Sequence, residues 1–150
     1  MGPSPLAEGL PVRLTDHYDR NPEKQLLRGR IGYIKPWVLD EREDSEHESD
    51  ARYLRFPPKG VLVQFTEWVQ EGGKLVEKPC TWQLDGMSEP GVYPIKPWSR
   101  QWFLDQGREN PQLGVRRWQV PLAPAYSITA HGSQGQTLRS AILDLQIGRG

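Results

Sequence analysis

The chain has 150 residues, enough for one domain or for a small domain joined to part of another. Hydrophobic residues make up 36%, and Gly (15) and Pro (14) are frequent, which argues against a helical bundle and for short strands joined by turns. The formal net charge of zero hides two opposed parts. Residues 40–50, DEREDSEHESD, carry −6, so the remainder carries +6 and suits a polyanionic partner.

No apolar run approaches the roughly 18–20 residues needed to cross a membrane, so no membrane partner is expected. The N-terminus MGPSPLAEGLPVR lacks the charged and apolar parts of a secretory signal. Cys80 is the single cysteine, which leaves no internal disulfide or multi-Cys zinc site and fits a reducing intracellular compartment.

Residues 1–9 read as a disordered leader. Strands follow at 10–16, 30–39, 60–69, 91–95 and 115–120, each rich in β-branched or aromatic residues and bounded by Gly, Pro or charge clusters. Gly29 and Gly32 flank Arg30-Ile31 and supply tight backbone geometry at the start of the second strand. The acidic run 40–50 reads as a solvated, mobile loop. In VLVQFTEWV, Val61, Val63 and Phe65 share one face, while Leu62, Gln64, Thr66 and Trp68 share the other. Apolar groups on both faces fit a small barrel wrapped around its own core. EGGK (71–74) predicts a turn and a hairpin into 74–83.

The pattern changes after Pro121. Leu122, Ala125, Tyr126 and Thr129 stand at helical spacing, Pro121 suits a first helical turn, and Gly132 and Gly135 end the helix. Ile142-Leu143-Asp144-Leu145 then reads as a buried strand. The expected fold is therefore mainly β, with a small barrel followed by a partial α/β helix–loop–strand segment.

The loop HGSQGQT (131–137) has the densest polar and glycine content on the chain. Glycines let main chain approach an anion closely, and Ser133, Thr137 and free N–H groups donate hydrogen bonds, with Thr129 and His131 within reach of the same ligand. A plain helix-to-strand turn is the competing reading. His17, between Asp16 and Asp19, reads as part of a surface turn, and His47 as solvated in the acidic loop. Trp82, Trp98, Trp102 and Trp118 are candidates for stacking on bases, though aromatic residues of a small β domain more often belong to its core. Cys80 reads as a buried small hydrophobe.

The stretch AYSITAHGSQGQT (125–137) resembles motif V of superfamily 1B helicases, the group of the Pif-type and RecD-type DNA helicases. Ala125, Tyr126, Thr129, His131, Ser133, Gln134, Gly135 and Thr137 match that motif in order and spacing. Leu14-Thr15, Asp19, Leu27, Gly29 and Gly32 resemble the family's upstream segment, and GVLVQF its Val-x-Phe strand. The likeness runs over residues 10–147, specific at 125–137 and loose in the middle.

The resemblance implies an SH3-like β-barrel over 10–115, inserted in the second RecA-like motor domain, with part of that domain at 116–150. It implies strand-backbone contacts by Thr129 and His131, to which Arg116 and Arg117 add cations. Ser133, Gln134, Gly135 and Thr137 would form the loop coupling DNA to ATP. The implied partners are single-stranded DNA and the remainder of the motor, and the implied setting is DNA repair or recombination. The compartment would be nuclear or mitochondrial in a eukaryote and cytoplasmic otherwise.

Two departures bear on activity. Gly132 stands where the family usually has Lys, removing a cation from a phosphate site. The sequence also contains no G-x-x-x-x-G-K-[ST] loop and no Ser-Arg motif after 137. ATP and Mg2+ are therefore expected of the full motor, and no catalytic residue, metal site or cofactor of this chain alone. Two other readings remain open. One is a stand-alone β-barrel module that binds single-stranded nucleic acid or a protein through Arg116, Arg117 and Arg139. The other is an inert remnant.

Overall fold

The computed structural model describes residues 6–43, 54–105, 107, 109, 110, 112–126, 128, 130–134 and 142. Among them run eight strands, β1 (Pro11–Leu14), β2 (Ile31–Val38), β3 (Gly60–Glu71), β4 (Lys74–Pro79), β5 (Val92–Ile95), β6 (Trp98–Phe103), β7 (Gly114–Gln119) and β8 (Leu122–Pro124), and one helical turn, α1 (Ala130–Ser133). The molecule is mainly β. No described helix is long and apolar enough to cross a membrane.

The organising element is β3. Its first half alternates as the sequence predicts, with Val61, Val63 and Phe65 buried and Leu62 and Gln64 half-buried on the other face. One edge of β3 pairs antiparallel with β2, from Gly32↔Phe65 to Val38↔Gly60. The other edge is shared in succession: β5 covers Val61 to Gln64, and β4 covers Thr66 to Glu71. The change of partner falls at Phe65, whose N–H donates to the Gly91 carbonyl while its own carbonyl accepts from the Cys80 N–H. The chain leaves the sheet at Cys80 and returns at Gly91, so a side chain at Gly91 would collide with that junction: a Cβ there would lie 2.7 Å from the Phe65 oxygen. β1 extends the sheet beyond β2, and β8 extends it beyond β1.

The core lies on one face of this sheet. Val12, Leu14, Ile34, Val61, Val63, Phe65 and Ile95 project into it, and Leu26 and Cys80 join them from loops. Leu26 is held by an isolated bridge to Asp19. Trp82 packs edge-on against Tyr93 and lies 6.5 Å from the Phe65 ring. Leu6, expected in the leader, packs against the core as well. Gly32 crosses β3 so closely that a Cβ would lie 2.7 Å from both the Gln64 oxygen and Val63 Cγ1, which accounts for the glycine predicted to be special there. The register of β2 on β3 slips by one residue between Ile34 and Trp37, a bulge that accommodates Pro36 without a lost ladder donor.

Three expectations are corrected. The sheet is not closed into a barrel. Its order is β4-β3-β2-β1-β8 with β5 on β3, and the far edges do not meet. Loops complete the core instead, and the outer face of β3 is polar where Tyr33 and Thr66 both hydrogen-bond to Glu77. Second, no helix begins at Pro121. Leu122–Pro124 is a strand paired with β1, because β1 has an edge to satisfy and Pro124 would break a helix at its fourth position. Third, the α/β segment is not supported: among the described residues its helical content is the four residues of α1. Ile142 is fully exposed and outside any strand, and Leu143 to Leu145 lie outside the described residues.

Candidate nucleic-acid interface

Strands β6 and β7 form a separate two-stranded antiparallel ribbon, with Trp98↔Gln119 at one end and Phe103↔Gly114 at the other. Side chains alternate across it, so Arg116 and Arg117 lie on opposite faces. Trp98, Arg100, Trp102, Val115, Arg117 and Gln119 share one face; Ser99, Gln101, Phe103, Arg116 and Trp118 share the other.

The first face is anchored. Trp98 stacks on Tyr18 with ring centres 5.5 Å apart, and Arg100 pairs with Asp16. The Tyr18 hydroxyl accepts the Lys96 N–H at 2.8 Å just before the ribbon starts. The second face is left to solvent, with Trp118 57% and Phe103 37% exposed on either side of an exposed Arg116. Neither strand contains an Asp or Glu, and together they carry three arginines. A ribbon with exposed rings, an arginine between them and no acid can stack on flat aromatic groups and attract anions.

Beside Trp118 the surface sinks into an open groove of about 470 Å³. Three strand registers build it. Val38↔Gly60 brings the chain after β2 beside the chain before β3, and Val61↔Ile95 brings the chain after β5 to the same end. Ser99↔Trp118 then hangs Trp118 over that end. The result is a groove walled by Pro57, Pro58 and Pro97, with Lys59, Lys96, Arg42 and Asp40 around it.

The charges here are unequal in availability. Asp40 makes a two-pronged contact to Arg42 at 2.8 and 3.0 Å, and this hydrogen bonding holds its carboxyl down at about 2. The Arg42 guanidinium also sits 3.9 Å from the centre of the Phe56 ring, and the Phe56 N–H donates to Glu43 at 2.6 Å. Lys59 pairs with Glu41. Lys96 has no acidic partner among the described residues.

The residues expected to bind are spread more widely than the sequence implied. Arg116 stands on the outward face of the ribbon and half-buried Arg117 on the anchored face. His131 and Ser133 fall in α1, with Ser133 half-buried, and Gln134 is exposed just after it. Thr129, Gly135, Thr137 and Arg139 lie outside the described residues. Of the four tryptophans considered for stacking, Trp82 belongs to the core periphery and Trp98 to the ribbon anchor, Trp102 is half-buried, and Trp118 is exposed. His17 is a turn residue, its Nδ1 accepting the Arg28 N–H at 3.3 Å. Cys80 is buried as expected, and Arg30 donates to its sulfur at 3.1 Å.

Sequence reasoning missed Phe103, Lys59, Lys96 and the groove prolines. The signal was present in FPPKG and IKPWS, two short tracts that each set a lysine beside proline, but nothing local says that they meet. Comparison with protein-family models, curated proteins and solved structures finds no match for this chain.

Proposed function

We propose that this chain binds single-stranded DNA as the strand-facing part of an ATP-dependent helicase of the Pif or RecD type. The observation that carries the reading is the outward face of the β6–β7 ribbon, where Arg116 lies between exposed Phe103 and Trp118 with no acid on either strand. The likeness of residues 125–137 to motif V supplies the motor context. In that context Thr129 and His131 contact the strand, and Ser133, Gln134, Gly135 and Thr137 couple it to a nucleotide held by the remainder of the motor. ATP and Mg2+ belong to that remainder, and this chain alone hydrolyses nothing.

Titration of a labelled oligothymidylate tests the strand reading. Binding is expected at low salt, falling on a log-log plot with a slope of about −0.7 per phosphate contacted. Arg116→Ala is expected to reduce that slope by about one contact, and Arg117→Ala, on the anchored face, by less. A flat signal at every salt concentration overturns the reading. Magnesium-dependent ATPase activity of the purified chain would refute the division of labour.

A stand-alone strand-binding module is the second reading. It is favoured by the pairing of β8 with β1, which makes residues up to Pro124 part of the β body. Replacing Thr129 and His131 together by alanine separates the two: weakened strand binding supports the motor, and unchanged binding supports the module.

A further inference from the structure

We infer that the groove under Trp118 is a subsite for one nucleotide of a single strand, its base stacked on Trp118 and its phosphate held by Lys96. This rests on the strand-binding reading above and locates it at residues that the motif V likeness does not reach.

Trp118 is a large ring left 57% exposed at the rim of a groove of about 470 Å³. Pro57, Pro58 and Pro97 line the groove with it. Proline has no N–H and a fixed φ, so these walls are rigid and apolar and lack main-chain donors. A wall of that kind packs against the flat face of any base without reading its edges. The same lack of donors disfavours an extended peptide, which needs main-chain hydrogen bonds to lie along a groove.

The groove is lined by Arg42, Lys59 and Lys96 and by one acid, Asp40. Arg42 is already committed to Asp40 and Lys59 to Glu41, whereas Lys96 has no acidic partner among the described residues. Its backbone is fixed by the Tyr18 hydroxyl, so the lysine is presented from a set position. Trp118 and Arg116 also share one face of β7, so a strand leaving the groove passes directly onto the outward face of the ribbon.

The test compares an oligothymidylate with an abasic strand of the same length, using the full chain, its Trp118→Ala, Trp118→Phe and Lys96→Ala variants, and Lys74→Ala at the distant hairpin turn as control. Removing a stacking ring weakens binding by about 5- to 150-fold. Trp118→Ala is expected to lose that factor on oligothymidylate and almost nothing on the abasic strand, with Trp118→Phe in between. Lys96→Ala is expected to weaken both strands several-fold, and Lys74→Ala neither. A polyglutamate competitor that displaces both strands equally would reduce the groove to a general anion site and overturn the inference. If the wild type binds oligothymidylate but Trp118→Ala and Lys96→Ala bind as tightly, the subsite is wrong and the strand reading survives. If the wild type binds neither strand, both fall.

Discussion

The main sheet and the β6–β7 ribbon are built from the same kind of residue and put to opposite use. In β3 the alternation of Val61, Val63 and Phe65 drives one face under a core, and each of the three is no more than 1% exposed. In the ribbon the alternation leaves Phe103 and Trp118 in water, with an arginine between them. The sheet uses apolar area for folding, since burial of such side chains contributes roughly 1.5–3 kcal/mol each. The ribbon forgoes that contribution on its outer face, and exposed rings beside cations remain available to a ligand. The comparison teaches that aromatic content alone does not separate core from interface; the partner strand's register does.

The sharpest way to break the contrast is at its two phenylalanines. Phe65→Ala is expected to lower unfolding stability by about 3–5 kcal/mol in a urea titration, because it empties the centre of the core. Phe103→Ala, on the exposed ribbon face, is expected to cost no more than about 0.5 kcal/mol. Equal losses would mean that the ribbon is part of the folding core. A smaller effect is expected from Gly32→Ala. Its Cβ would lie 2.7 Å from a backbone oxygen of β3, and overpacking of this kind costs about 1–3 kcal/mol, again read by urea.

The smallest effect concerns the groove rim. The Asp40 carboxyl is held at about 2 by its hydrogen bonds with Arg42, below its ordinary value of 3.8. A depressed carboxylate adds stability that is present above its unfolded value and lost as pH falls through the folded one, here between about 3.8 and about 2. A carboxyl resonance of Asp40 with a midpoint near 2 would agree. A midpoint at the ordinary value would mean that Arg42 is free, and the groove would then have a second available cation.

Much of the sheet was legible because its signals are local. Period-two alternation located β3, and EGGK located the hairpin turn at Gly72 and Gly73, both with positive φ. Two strands carried no such signal. WSRQWF is aromatic but lacks period-two alternation, and LAP is three residues long and ends in proline, so β6 and β8 take their registers from the edges of β7 and β1. The helix expected after Pro121 failed for the same reason, since the apolar spacing of Leu122, Ala125 and Tyr126 ignores what Pro124 forbids. At the site, the arginines were legible as a basic pair, but the single alternation that sends Arg116 outward and Arg117 inward needed the register of β7. The groove was not legible at all, because Lys59 and Lys96 stand 37 positions apart and are brought together by one antiparallel pairing, Val61↔Ile95.

Beyond Phe65, β3 and β4 run on as a two-stranded ribbon, with Thr66↔Pro79 at its base and the Gly72–Gly73 turn at its tip, the tip being away from the core residues and the groove. A chain cut or lengthened at such a tip disturbs no buried contact. The position is therefore a natural port for engineering: a fluorophore, an affinity handle or a small folded domain spliced between Gly72 and Gly73 would report on the protein while leaving its sheet and its ribbon as they are.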